Sequence, residues 1–384
     1  MLRAAARAML GLAFALLLLE GLVRAHHLVR HQLLGGTARP YDRAIYAAYD
    51  PSEAAAVTAS IRDRRRLKFE PHPYLMYRPV PGQRLPTIAI NRHGLRGPEW
   101  DADPARYDIV LLGGSAVYGS GALDDARTVA GYLQQAADAR WPRQRVQVIN
   151  AGLDGYTSTQ ERILFEQEFR EQADAILLLN GINDIYSATL YDGDRVGYPE
   201  TFRDYEARIQ RPLRRALDRA LAYSMLYEKM RRRVATLASR AARRQAGAEA
   251  RRADLLAMRD RYLANLRLLR QVSRPGTPII ACLQPVLLLD HKPLAESEHA
   301  ILRREVQWGY NVEDPVAFMD EAYRTLLAAA PALAREGIRL VDGRDVFASE
   351  PAAVYIDPVH FSDRGQRLVA ERLARELAPA LERR

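Results

Sequence analysis

A single cysteine, Cys282, stands in 384 residues, so no intrachain disulfide framework is available to this chain. Cys282 lies in the apolar run PIIACLQPVLLL with no histidine near it in sequence, and it reads as a buried structural thiol. Cysteine and histidine spacing forms no zinc motif, and no metal or other cofactor is called for. No Lys-Ser/Thr pair follows Gly113 and Gly114, and the G-x-G-x-x-G spacing is not met there, which excludes the common phosphate-cradling loops. Internal repeats are lacking, as is any low-complexity linker long enough to separate independent domains. Aromatics are few where basic residues are dense: Tyr223 and Tyr227 are not interleaved with the arginines around them. Base stacking therefore has no support, and no nucleic-acid partner is expected.

What is present begins with charge. The net charge of +9 fits nucleic acid, an anionic polymer or a membrane surface, but it is an arginine-dominated excess that decides nothing alone. At the amino terminus, Ala5 to Arg24 is predominantly apolar. Roughly 20 residues of helix at about 1.5 Å each span about 30 Å, the thickness of a bilayer core. Residues 1–25 are accordingly expected to be a membrane helix acting as a signal anchor. The alternative is a cleaved signal peptide with h-region Ala8 to Leu19 and a cleavage site at Val23-Arg24-Ala25, leaving a secreted domain.

Residues 26–105 read as a spacer and amino-terminal extension, polar and Ala-rich at first and then proline-punctuated from Pro71 to Gly82, a density that excludes helix. From Tyr107 onward the pattern is strand, loop, helix, repeated. Tyr107 to Gly113, Val146 to Gly152, Ala175 to Asp184, Thr277 to Leu289 and Ile338 to Gly343 supply five strands, with helices expected over Thr128 to Arg140, Thr157 to Gln172 and Asp363 to Leu381. Strands separated by helices imply right-handed crossovers and a parallel sheet covered on both faces. The fold class expected for 106–384 is α/β, a three-layer α/β/α sandwich. A helical, arginine-rich insertion is expected at about 191–274, read either as a solvated face or as a surface for anionic lipid or an acidic glycan.

The run Ile109 to Leu112 ends in two glycines and Ser115, as a buried parallel strand ends at the carboxyl edge of a sheet, where such folds place their active sites. Other strand ends supply Gly152 and Asn183, and a late loop, DPVHFSDRG, supplies Asp357 and His360. A hydroxyl, a base, a carboxylate and amide donors form the inventory for acyl transfer through a covalent intermediate.

GGSA around Ser115, NAGLDGYTS with Gly152, NGIND with Gly181, Asn183 and Asp184, and DPVHFSDRG with Asp357 and His360 occur in the order of the four blocks of the bacterial SGNH/GDSL esterase superfamily, which the chain resembles from Tyr107 to its carboxyl terminus. The PHPYLMYRP and INRHGLRGPEW segments are similar to those preceding the blocks in membrane-anchored bacterial members. The resemblance implies a flavodoxin-like five-stranded parallel sheet and hydrolysis of a carboxylic ester, and says little about substrate; the expected substrate is a short acyl or acetyl ester of a small molecule or a glycan. The resemblance further implies Ser115 as nucleophile, His360 as general base, Asp357 as its orienting carboxylate, and an oxyanion hole made of Ser115 N–H, Gly152 N–H and the Asn183 amide. Gly114 departs from the family's usual Gly-Asp-Ser, and Asp184 either supports the oxyanion loop in compensation or caps the next turn. An O-acyltransferase acting on a polysaccharide with the same triad, and a catalytically silent binder of an anionic polymer, are the rival readings. The expected location is the bacterial inner membrane, with the domain periplasmic or extracytoplasmic.

Overall fold

The computed structural model describes residues 2–29, 45–101, 103–190, 224, 226, 227, 230, 248–308 and 314–382. The chain divides into two compact units, one of Met1–Asp42 with Arg203–Gly247 and one of Arg43–Phe202 with Ala248–Arg384.

In the first unit the Ala- and Leu-rich run forms α1 (Leu2–Leu28). The membrane-spanning helix expected here does not appear in that form: among the described residues, no helix is long and apolar enough to cross a membrane. Glu20 interrupts the apolar run of α1. Its carboxylate pairs with Arg24 one turn on (2.7 Å) and accepts from the Ser224 hydroxyl (2.8 Å) and the Leu226 N–H (2.9 Å). Of the expected insertion, 191–247 lies outside the described residues apart from 224, 226, 227 and 230.

The second unit is built on a parallel sheet of β3 (Tyr107–Gly113), β4 (Val146–Gly152), β5 (Ala175–Asn180), β6 (Ile279–Leu283) and β7 (Ile338–Asp342) in the order β4-β3-β5-β6-β7. All neighbours run parallel, with Gly113 opposite Gly152 on one side and Leu179 on the other. These strands are continuous apolar runs because both faces are covered. Val110, Leu112, Ile176, Leu178, Ile279 and Ala281 point into one core. Ile109, Leu111, Leu177, Leu179, Ile280 and Cys282 point into the other. The alternation is the period-two geometry of a strand seen from both sides, and it gives the three layers expected.

On the first face lie α5 (Ser158–Glu168), α7 (Ala248–Val272), α9 (Pro315–Leu327) and α10 (Ala330–Arg335). On the second lie α4 (Val129–Arg140), α8 (Glu296–Trp308) and α11 (Asp363–Leu381). The insertion expected to run to about 274 is therefore shorter at its carboxyl side. Its last turns are α7, which buries Leu255, Met258, Tyr262, Leu266 and Leu269 in the core. The fourth strand stops at Leu283 instead of running to Leu289, since Pro285 has no N–H for a ladder and Leu287–Leu289 curl into a 3-10 turn.

The segment expected to be a spacer is instead part of this unit. It contains α2 (Ala54–Arg66) and an antiparallel pair, β1 (Phe69–His72) and β2 (Met76–Pro79). Its apolar side chains are buried against the sandwich: Val57 and Tyr49 with Leu123 and Ile356, Ile88 and Ile90 with Tyr118, and Trp100 with the main core. Arg96, wholly buried, bonds the Asp125 carboxylate (2.7 Å) and the Gly119 carbonyl (3.0 Å), tying the same segment to the loops after β3.

Candidate active site

The sheet order puts β3 at the point where the winding reverses, and in open α/β sheets ligand sites form beyond the carboxyl ends of strands at such a point. β3 ends at Gly113, and Ser115 opens the single turn α3 (Ser115–Tyr118). Both intervening glycines are required sterically. A Cβ on Gly113 would stand 2.5 Å from the Leu179 carbonyl oxygen and from Val117 Cγ2, and one on Gly114 would overlap Asn183 Nδ2.

Ser115 Oγ lies 2.6 Å from His360 Nε2, and His360 Nδ1 lies 2.6 Å from Asp357 Oδ2. An Nδ1–H donated to the carboxylate leaves Nε2 as acceptor for the serine hydroxyl. Asp357 Oδ1 accepts from the backbone N–H of Val359 (2.9 Å) and of His360 (2.8 Å). Burial alone would raise the Asp357 carboxyl. The charge and hydrogen bond of His360 and the two N–H donors outweigh burial and hold it below the ordinary carboxylate range, so it stays ionised.

The loop carrying this pair is fixed from several sides. Tyr355 and Phe361 bridge its base, the Ile356 N–H donates to the His360 carbonyl (3.0 Å), and Gln284, at the tip of β6, donates to the Val359 carbonyl (2.6 Å). Glu298 is wholly buried and paired with Lys292. Its carboxylate accepts the N–H groups of Val354 (2.9 Å) and Tyr355 (3.1 Å), and Tyr355 Oη donates to Asp290 (2.6 Å). Sequence reasoning missed Gln284, Asp290, Lys292 and Glu298, which have no local motif.

On the opposite side, Gly181 takes φ +94° and turns the chain from β5 into α6 (Ile182–Leu190). Asn183 Nδ2 there donates to the Tyr156 carbonyl (2.7 Å), and the NH₂ group has a second hydrogen to offer. Gly152 differs from expectation. It ends the edge strand β4, and its N–H is donated to Asn150 Oδ1 (3.1 Å). Its missing side chain serves packing, since a Cβ would stand 2.6 Å from Val117 Cβ. The other glycine of the same block, Gly155, adopts φ +72° beside Tyr156, the residue that holds Asn183. The signal for it was that second glycine in NAGLDGYTS.

Asp184 accepts the N–H (3.0 Å) and hydroxyl (2.6 Å) of Ser158, so it binds the first turn of α5, just past the 154–157 loop, and not the turn that follows it in sequence. Burial pushes Asp184 up to about 6. Glu161, buried nearby, is raised well above the ordinary range by burial and then by Asp184. Among the described residues, no cluster of His, Cys, Asp or Glu is arranged to hold a metal ion.

The family model for the GDSL-like lipase/acylhydrolase family matches residues 111–368, about two thirds of the chain. No curated protein matches. Solved structures similar to the chain include an acetylxylan esterase from Geobacillus stearothermophilus, at 17% identity over 71% of this chain and 94% of that one, with a TM-score of 0.39. A lipase/acylhydrolase from Enterococcus faecalis matches at 17% identity over 71% and 95%, TM-score 0.39. A two-domain esterase active on acetylated mannans matches at 13% identity over 71% and 49%, TM-score 0.38. With the family's blocks meeting at one sheet edge and its model matched from 111 to 368, the chain belongs to the GDSL-like lipase/acylhydrolase family, the SGNH/GDSL esterases, and is an ester-bond hydrolase.

Proposed function

We propose that the protein hydrolyses short acyl esters, acetyl esters foremost, on a glycan, through an acyl-enzyme on Ser115. The observation that carries the mechanism is the continuous Ser115–His360–Asp357 hydrogen-bond relay at 2.6 Å per link. In this reading Ser115 Oγ attacks the ester carbonyl carbon as its proton passes to His360 Nε2. Asp357 stabilises the resulting imidazolium. The negative charge on the carbonyl oxygen is met by the Asn183 amide and the backbone N–H groups of Ser115 and Gly155, with Gly155 replacing Gly152 because the Gly152 N–H is already bonded. His360 then gives its proton to the leaving alkoxide, takes one from the water that attacks the acyl carbon, and returns it to Ser115 Oγ as the acyl–Oγ bond breaks and the acid leaves. The four blocks support ester hydrolysis, and the short acyl group and the glycan acceptor are the part of the proposal that the substrate panel below tests.

The test is turnover of the full chain on activated acetyl, butyryl and octanoyl esters and on an acetylated xylo-oligosaccharide, with Ser115→Ala as control. Release of acetate that falls with chain length and vanishes in Ser115→Ala supports the proposal. Transfer of the acyl group to a sugar acceptor without release to water would make the protein an O-acyltransferase, and binding without turnover would make it a silent binder. We also propose a location at a lipid surface, supported by the exposed apolar side chains Phe14 (69%), Leu17 (71%) and Leu22 (58%) of α1, with a position outside the cytoplasm taken from the similarity of the PHPYLMYRP and INRHGLRGPEW segments to membrane-anchored bacterial members. Recovery of the full chain in the soluble fraction after cell lysis would contradict it.

A further inference from the structure

The amino-terminal extension lies outside the matched residues 111–368, yet it grips the loop between β4 and α5 from two elements. From α2, Arg64 Nη2 donates to Asp154 Oδ2 (2.8 Å), whose other oxygen accepts from Ser120 Oγ (3.3 Å). From β2, the Tyr77 hydroxyl donates to the main-chain carbonyl of Asp154. Tyr156 answers in the reverse direction, its hydroxyl donating to the main-chain carbonyl of Tyr77 (2.6 Å), and the two rings meet edge to face with centroids 5.7 Å apart. Residues 154 and 156 are thus both bound to the extension, and Gly155 stands between them.

The Asp154 carbonyl and the Gly155 N–H belong to one planar, trans peptide group. They point in opposite directions, so a donor fixed on the carbonyl fixes the direction of the N–H. A hydrogen bond accepted by a peptide carbonyl also polarises the group and strengthens its N–H as a donor. One residue on, the Tyr156 carbonyl accepts Asn183 Nδ2 (2.7 Å), so the same loop orients the side-chain donor. We infer that Tyr77, assisted by Arg64, is a positioning residue for the oxyanion hole, holding and polarising the Asp154–Gly155 peptide and, through Tyr156, the Asn183 amide. The extension is then a working part of the catalytic domain. The inference rests on the esterase reading above.

The experiment compares wild type, Tyr77→Phe, Arg64→Met and their double variant in the full chain, with active sites counted by stoichiometric fluorophosphonate labelling. Tyr77→Phe keeps the ring and removes the hydrogen bond to the Asp154 carbonyl, worth about 1 kcal/mol, or roughly fivefold in kcat. KM is expected to stay within about threefold, since the bonds concerned matter most when the oxyanion forms. The pH at which activity reaches half its plateau should not move, because His360 and Asp357 are untouched. Tyr77→Phe combined with Asn183→Ala should lose less than the product of the single losses, as both act on one hole. An unchanged kcat in Tyr77→Phe, or a fall matched by lost labelling stoichiometry, would overturn the inference alone. Absence of turnover in the wild type would overturn the esterase reading and this inference with it.

Discussion

Gly114→Ala adds one methyl group at the centre of the site, on a backbone whose φ of −85° an alanine can also adopt. The added carbon would overlap Asn183 Nδ2. Ordinary van der Waals separation is about 3.5–4.0 Å, so the amide must withdraw by about 1 Å or more. Withdrawal breaks its 2.7 Å bond to the Tyr156 carbonyl and takes it out of register with the forming oxyanion. Loss of one such donor costs about 10² to 10³ in turnover, about 3–4 kcal/mol, with a smaller change in KM. Overpacking adds about 1–3 kcal/mol of destabilisation. The assay is kcat and KM on an acetyl ester, normalised to labelled active sites, with denaturant unfolding alongside. In an Asn183→Ala background the collision partner is absent, so Gly114→Ala should cost little more there. The same reasoning says that installing the aspartate usual in the family's first block, Gly114→Asp, impairs this enzyme. Turnover of Gly114→Ala within about threefold of wild type, or a full additional loss in the Asn183→Ala background, would refute the argument.

Glu298→Gln leaves the buried Lys292 ammonium without its counter-charge and weakens the hold on Val354 and Tyr355. Breaking a buried pair from one side costs about 3–5 kcal/mol, measured by denaturant unfolding, and kcat should fall with it. A change below about 1 kcal/mol would show that the pair does not hold the His360 loop. For Asp184, the folded carboxyl is raised from its ordinary value of 3.8 to about 6, so its contribution is present at low pH and lost as pH rises between those values. The wild type should therefore lose about 2 kcal/mol relative to Asp184→Asn between pH 4 and pH 6. Parallel stability curves for the two proteins would contradict this.

The sandwich was legible because its strands are uninterrupted runs such as Ile109 to Leu112, and its closing helix was readable to the residue because Asp363 to Leu381 is amphipathic. Ser115 was legible because it follows such a strand, and Asp357 and His360 because they share one short motif just ahead of the closing helix. The motif NAGLDGYTS does not show which backbone N–H is already taken, and that of Gly152 is. Its N–H faces away from β3, where the Asn150 side chain claims it. The extension was misread as a spacer because its buried residues, Val57, Ile88, Ile90 and Trp100, follow neither helical nor strand period over any length. The bonds from Arg64 and Tyr77 to Asp154 span 90 and 77 positions, and no local pattern announces a contact at that range.

The central claim is that Ser115 is a nucleophile activated by His360. Its most direct measurement is intact-mass and peptide mapping after exposure of the native full chain to a fluorophosphonate. The account predicts one adduct per chain, located on Ser115, lost in Ser115→Ala and formed at least about a hundredfold more slowly in His360→Ala, as expected when the base that activates the hydroxyl is removed. No adduct on the folded wild type, or an adduct on another serine that survives Ser115→Ala, would contradict it.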